Sequence, residues 1–341
     1  MKKLIIKAAK LFYNEGTVLA TLSDSAFIGD TIQWTDLEVS LIVPFKSGIT
    51  GAVPTKLLVK GLEMMDNPQF KNLNKPGGAV QIEITQGKER IVLAGDRLDN
   101  FPVIPNVKRQ AIGSLPDEVI PILKDSILFQ SNDDLRPAMT YTYVDGHIAA
   151  TDAHRLMFVK LDEALKEGIF LHKKVIKLLE IFGGDYSVSL STKENTTHLR
   201  LENSDGVVIV SRQPDCRFPD WKVVVPQVDA KTPCCTLNVK EIKKAIKNGK
   251  PFATRLTNKG VFKLRKTSTY STEDLDLSIS YETEIDVSVP KDHEIEVAFN
   301  SDFVDKILTL CGDTAKMNYW SPTKPFIFDG KYLCMPLMPN R

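Results

Sequence analysis

The sequence predicts an α+β protein of three tandem domains, each with two helices packed on antiparallel sheet. Six short amphipathic stretches fall in three pairs. Alternating or β-branched runs fill the intervals, and the pattern returns after about 115 residues, too long a period for a solenoid repeat. The first helix spans residues 2–12, with Leu4, Ile5, Ala8 and Leu11 at helical spacing and Lys3, Lys7 and Lys10 on the other side. The second covers 54–66, with Pro54 suited to a first helical turn. The others are expected at 116–128, 172–182, 239–247 and 302–310, the last behind an Asn300 or Ser301 cap. Strands are expected at 38–44, 81–85, 141–149, 187–191, 207–211, 275–281 and 294–299. Turn signals stand at Asn14-Glu15-Gly16, Val144-Asp145-Gly146 and Asp329-Gly330.

The repeat extends to single residues. Trp34-Thr35-Asp36-Leu37 opens a strand in the first third, and Ala150-Thr151-Asp152-Ala153 opens one in the second. Each is followed by a helix, near Pro54 and His172, whereas the third copy keeps the strand and helix at Phe299-Asn300-Ser301-Asp302 but lacks Thr-Asp. Proline interrupts the strand pattern at 101–106 and 225–228, which sets the expected domains at 1–106, 107–228 and 229–341.

Composition excludes several classes. With 43% apolar and 26% charged residues the chain reads as globular, and no apolar run approaches the roughly 20 residues that span a bilayer. The opening Met1-Lys2-Lys3-Leu4-Ile5-Ile6 imitates an export signal until Lys7 and Lys10 interrupt it, so a cytoplasmic protein is expected. Five cysteines without CxxC spacing argue against zinc and a disulfide framework, and Cys234 and Cys235 on a strand point to opposite faces. A net charge of +1 advertises no polyanionic partner, so any contact with nucleic acid rests on local placement.

Asp152 and His154, two apart on the expected strand, would share a face as a base with its orienting group or as two metal ligands. Neither reading has company: no nucleophile stands in an elbow context, and no second ligand has the right spacing. A turn-capping Asp with a packed His is the competing account, and His147, His172, His198 and His293 read as scattered surface residues. Pro76-Gly77-Gly78 lacks the strand before it and the Lys-Ser/Thr after it that a phosphate loop needs. No cofactor is implied. Lysine does recur on every helix: Lys3, Lys7, Lys10, Lys56, Lys60, Lys124, Lys173, Lys177, Lys243, Lys247 and Lys306. This is either a set of solvated faces or, if the helices share a surface, a lining that holds phosphate without reading bases. The apolar tail Met335-Pro336-Leu337-Met338-Pro339 either finishes a core strand or offers an adaptable partner surface.

Taken in order, several of these segments resemble the bacterial DNA polymerase III beta subunits, the sliding clamps. They are Thr35-Asp36-Leu37-Glu38-Val39, Val53-Pro54-Thr55-Lys56-Leu57-Leu58, Asp133-Asp134-Leu135-Arg136-Pro137, Ala150-Thr151-Asp152-Ala153-His154-Arg155-Leu156, Arg217-Phe218-Pro219-Asp220-Trp221, Phe299-Asn300 and Tyr332 to Leu337. The resemblance implies a ring-forming DNA-clamp fold, a homodimer around double-stranded DNA and no catalytic activity. It also implies a pocket for linear peptides from the replicative polymerase, the clamp loader, repair polymerases and ligase-type proteins. Carried over by position, that pocket comprises Met139, Thr151, His154, Arg155, Leu156, Pro219, Val223, Val224, Leu333, Met335, Pro336 and Leu337. Leu156, Pro219, Val224, Leu333 and Met335 would form its walls, and His154 and Arg155 its polar rim. The chain departs from the family pattern at Ala153, at Leu337 and beyond, before Thr35, and between Gly95 and Phe101, where the family has an interface strand. A clamp-like adaptor that binds peptides without enclosing DNA, and a hydrolase built on Asp152 and His154, are the rival readings.

Overall fold

Helices form in all six expected places: α1 (Lys2–Ala9), α2 (Thr55–Met64), α3 (Ile120–Ser126), α4 (Lys173–Phe182), α5 (Val239–Gly249) and α6 (Ser301–Thr309). The computed structural model describes residues 1–13, 20–73, 80–105, 110–193, 195–253, 258–274, 278–291 and 293–337. The expected turn at Asn14-Glu15-Gly16, the Pro76-Gly77-Gly78 segment, the start of the strand expected at 275–281, and Met338-Pro339 lie outside them.

Side-chain caps fix three of the helix starts. The Asn300 side-chain oxygen accepts from the Asp302 and Phe303 N–H groups at 3.0 and 3.4 Å, deciding between the two expected caps. Asn238 does the same for Glu241, and His172 Nδ1 accepts from Lys174 N–H at 3.2 Å. His172 is therefore a half-buried cap rather than a surface residue, and burial, then Lys174, pulls its pKa down. α1 stops three residues before its expected end. Leu11 and Phe12 donate to Ala8 and Ala9 at 2.9 and 3.0 Å, a tighter turn that brings Phe12 onto Trp34 at 6.3 Å.

The chain divides into two compact units. The first comprises Met1–Lys124, Val144–Gly146 and Asp162–Cys216; the second comprises Asp125–Tyr143, His147–Leu161 and Arg217–Arg341. A single antiparallel sheet dominates the first, in the order Gly51–Pro54, Asp24–Ile28, Thr31–Thr35, Val39–Pro44, Val208–Arg212, Thr196–Asn203, Tyr186–Lys193, Gln110–Leu115. Its central seam, Val39–Pro44 against Val208–Arg212, joins residues from the first and second thirds of the sequence. The second unit repeats seven of those eight places, with Tyr141–Val144, His147–Thr151, Arg155–Lys160, Tyr332–Cys334, Phe326–Phe328, Thr314–Asn318 and Cys234–Asn238, and adds Val287–Ser288 beyond the last. Here the seam joins Arg155–Lys160 to Tyr332–Cys334.

Two smaller sheets continue the pattern, each with a strand at its end that pairs with no further strand among the described residues, although Asp96, just past one of them, bridges Ala52. In the first unit Gln69–Asn72, Val80–Gln86 and Glu89–Gly95 form a three-stranded sheet with Glu89–Gly95 at one end. In the second, Ile295–Asn300, Lys259–Leu264, Thr269–Glu273 and Ser280–Glu284 form four strands with Ser280–Glu284 at one end. By position in the repeat, Ser280–Glu284 corresponds to Val39–Pro44 and Arg155–Lys160, and Glu89–Gly95 to Val208–Arg212 and Tyr332–Cys334.

Thr-Asp closes a strand rather than opening one. Thr35 ends Thr31–Thr35 and Thr151 ends His147–Thr151, and the following Asp organises the turn. The Asp36 carboxylate accepts from Glu38 and Val39 N–H at 3.1 and 2.7 Å, while Asp36 N–H donates to Val39 O. Asp152 treats His154 and Arg155 identically, at 3.0 and 2.7 Å. Leu37 and Ala153 carry the same positive φ, 75° and 73°, so the glycine that this conformation favours is absent from both copies. The third copy exists after all. Asp274 accepts from Ser278 and Ile279 N–H at 2.9 and 3.2 Å and donates its own N–H to Ile279 O. Two more residues between the aspartate and its backbone donors, and Glu273 in place of threonine, conceal it in the sequence.

One strand end carries a pH signature. Burial, then the neighbouring Asp96 charge, raises the pKa of Asp24 from 3.8 to about 6. The folded chain thus holds a proton on Asp24 that the unfolded chain releases from about pH 4 upward. This contribution to stability falls as pH rises from about 4 to about 6 and is constant above that. Asp24→Asn is expected to raise stability by about 1–2 kcal/mol at pH 8 and to leave it unchanged near pH 4, read as Tm against pH.

Candidate docking site and basic helices

The turn at Asp152–His154 sets the geometry of the candidate docking site. Asp152 and His154 do not share a strand face, because both lie in the turn between His147–Thr151 and Arg155–Lys160. The Asp152 carboxylate is fully engaged: besides the two backbone donors it accepts from Arg155 Nε at 3.0 Å and Nη2 at 2.6 Å. The His154 ring stacks on Phe303 of α6, with centroids 5.8 Å apart. This arrangement matches the turn-capping account of the pair and gives no base-and-orienter contact.

Arg155 is not on a polar rim; its side chain is only 4% exposed. The guanidinium carbon lies 4.5 Å from the Phe303 ring centre and 5.4 Å from that of Phe129, which stacks on Tyr332. A planar cation suits this slot, since two aromatic faces and one carboxylate replace its hydration. Its Nη1 has no hydrogen-bond partner among the described residues. Sequence inspection missed Phe129 and Phe303. Phe303, half-buried and three residues beyond the Asn300 cap, was the available signal.

The seam brings the tail to this turn. Leu156 pairs with Leu333, Arg155 with Cys334, and Met335 N–H donates to His154 O at 2.8 Å. Leu337 N–H then donates to Ala298 O at 2.7 Å. Within the two strands, Leu156 and Leu333 stand opposite each other and share one face of the sheet, with His154 and Met335 just beyond their ends. Leu156 and Leu333 are each 2% exposed, so they form the packed floor rather than open walls. Thr151 is also buried, its hydroxyl donating to Arg155 O at 2.7 Å. His154 is exposed; Met335, Pro336, Leu337, Pro219 and Met139 are half-buried. Val223 and Val224 stand 79% and 54% exposed on a short 3-10 turn, Trp221–Val224. Accessible apolar surface beside the turn therefore comes from the tail, Met335 to Leu337.

Burial pushes Cys334 up to about 12, and Cys235 and Cys311 to about 11 and about 12, so all three stay protonated. Among the described residues no cluster of three or more His, Cys, Asp or Glu could hold a metal ion.

The first unit carries a modified copy of the turn. Glu38 O accepts from Arg212 N–H at 2.9 Å, just as His154 O accepts from Met335. Lys174 of α4 reaches Asp36 and lies over Phe12 at 4.9 Å, doing for Asp36 what Arg155 does for Asp152.

Lysines on the helices differ in how free their charges are. Lys3, Lys7, Lys10, Lys56, Lys60, Lys124, Lys173, Lys177, Lys247 and Lys306 are exposed, and Lys243 is half-buried. Lys10 pairs with Glu63 at 2.7 Å, Lys124 with Glu180 at 2.5 Å and Lys243 with Asp305 at 3.9 Å. Lys3, Lys7, Lys60, Lys173, Lys177, Lys247 and Lys306 make no ion pair among the described residues. In the first unit α1 packs on α2 and α4; in the second α5 packs on α6.

Paired helices on antiparallel sheets, seamed strand to strand through an internal repeat, define the architecture of a DNA sliding clamp. No protein-family model and no curated protein matches the chain by sequence. Solved structures do match. A DNA polymerase sliding clamp from Pseudomonas aeruginosa aligns with TM-score 0.82 and 16% identity over 99% of this chain and 98% of that one, and another structure of that clamp holds griselimycin. The DNA polymerase III beta subunit of Thermotoga maritima aligns with TM-score 0.83 and 17% identity over 99% and 97%. The chain has the fold of these beta subunits, as the resemblance in sequence implied. No helix of the described residues is long and apolar enough to cross a membrane.

Proposed function

We propose that the chain is a processivity clamp: a homodimer that encloses duplex DNA and docks partner peptides at the tail-lined site, without catalysis of its own. The observation that carries this reading is the pair of end strands, within a threefold repeat, whose seam partner is absent among the described residues. In two copies the corresponding strands are joined, Val39–Pro44 to Val208–Arg212 and Arg155–Lys160 to Tyr332–Cys334. The third such seam lacks its partner within the described chain, leaving Ser280–Glu284 and Glu89–Gly95 at sheet ends. Two copies of the chain, related by a twofold axis, supply each other's missing strand and close a ring of six repeats. The uncompensated lysines of the helices would then contact phosphate across the hole, independently of sequence.

On this reading the three domains follow the thirds of the chain, and a separate loader opens the ring. The partners are the replicative polymerase, the loader, and repair polymerases and ligase-type proteins bearing short peptides. The setting is the cytoplasm. Solution mass by sedimentation, from micromolar to nanomolar, tests it: a persistent dimer is expected. A monomer throughout would remove the ring and favour the peptide-binding adaptor, a reading motivated by the short segment from Gly95 to Phe101.

For the docking site, Met335→Ala with Leu337→Ala is expected to weaken partner-peptide binding about 10- to 100-fold, at 1.4 kcal/mol per tenfold, with Tm little changed. Unchanged affinity in a titration would refute the site. Leu156→Ala is a poorer probe, because deleting a buried leucine costs about 2–5 kcal/mol of stability by itself.

A further inference from the structure

Beside the docking site the same sheet face continues into a cavity of about 630 Å³ that shares no residue with it. That volume lies within the roughly 300–1,000 Å³ usual for ligand sites. Phe158, two residues along the strand from Leu156, forms its floor. Trp221 covers it, stacked on Phe158 at 5.6 Å and touched edge-on by His147 at 5.3 Å. Three lysines from three segments surround this aromatic base. Lys160 stands opposite His147 in the strand register. Lys331 precedes the final strand, its carbonyl accepting from Phe158 N–H at 2.9 Å. Lys222 lies over the Trp221 ring at 5.6 Å.

The charge balance is one-sided. Among the described residues the lining contains no Asp or Glu, and the three ammonium groups make no ion pair. Lys10, Lys124, Lys243 and Lys250, by contrast, each face a carboxylate of the chain. An apolar seat ringed by uncompensated cations is complementary to an apolar side chain flanked by carboxylates. The step from Leu156 to Phe158 is about 7 Å, two residues of extended chain, so one peptide can span both sites.

We propose that this cavity binds an acidic extension of the partner peptide, seating one apolar side chain against Trp221 and Phe158 while its carboxylates meet Lys160, Lys222 and Lys331. The proposal rests on the docking reading above and adds a second anchor with a stated charge preference.

Three labelled synthetic peptides test it on the full chain, each with a leucine–phenylalanine pair. One has three glutamates before the pair, one has them after it, and one has glutamines in their place. One acidic peptide is expected to bind about 10-fold or more tightly than the glutamine peptide at 50 mM salt, with the gain fading toward 0.5 M. Lys160→Glu with Lys222→Glu and Lys331→Glu is expected to abolish the gain and leave the glutamine peptide's affinity and the Tm unchanged. Equal binding of all three peptides would overturn the cavity while leaving the docking site standing. A gain that survives the triple reversal would also overturn it, since the carboxylates would then lie elsewhere. Failure of every peptide to bind would overturn both readings. Met335→Ala with Leu337→Ala should weaken all three alike.

Discussion

Arg155→Ala is expected to lower the unfolding free energy of the second unit by about 3–5 kcal/mol, because it strands a carboxylate and empties an aromatic slot. Asp152 would keep its two backbone donors but lose both guanidinium hydrogen bonds, and Phe303 and Phe129 would face a void. The loss should reach the tail as well, since Arg155 pairs with Cys334 and its neighbour His154 holds Met335. Arg155→Lys should recover little, because an ammonium cannot present a flat face to two rings while forking onto one carboxylate. Denaturant unfolding decides the point. A change below about 1 kcal/mol would mean that the buried cation contributes nothing net, as some buried pairs do.

Reversing the uncompensated lysines should have the second large effect. Lys3→Glu, Lys177→Glu, Lys247→Glu and Lys306→Glu together are expected to weaken sequence-independent binding of duplex DNA by roughly 100-fold or more at low salt. The slope of log K against log salt should fall by about 0.9 for each phosphate that is no longer neutralised. Lys10→Glu and Lys124→Glu should matter less, because Glu63 and Glu180 already neutralise those charges. Fluorescence anisotropy on a short duplex measures both quantities. Four reversals that leave affinity and slope unchanged would mean that these helices do not face DNA.

The helices were legible because apolar spacing and caps are local signals; only the ends moved, as at Phe12. The repeat was legible where threonine and aspartate stood together and hidden at Asp274, where two extra residues broke the spacing. Sheet seams were not legible at all. Pairing of Val39 with Ser211, or of Leu156 with Leu333, depends on partners more than 150 residues apart, and neither strand announces the other. The proposed docking segment was read from its motif, yet the physical places of its residues were misread in part. Charge suggested that Arg155 sits at the rim, and only the placement of Phe129 and Phe303 reveals why a guanidinium is buried there. The Trp221 cavity left no motif, because its lining comes from three segments far apart in sequence.

Among the described residues the Asp turn occurs three times, and each time its surroundings differ. At Asp36 a lysine from α4 occupies the position over the aromatic ring; at Asp152 the chain's own tail arrives; at Asp274 the adjoining strand edge stands open. In the proposed two-chain ring that would make six corresponding corners, of which two carry a tail-lined berth. If the proposed ring and docking site hold, access would be a matter of occupancy and exchange: a partner bound at one berth would leave a single vacancy.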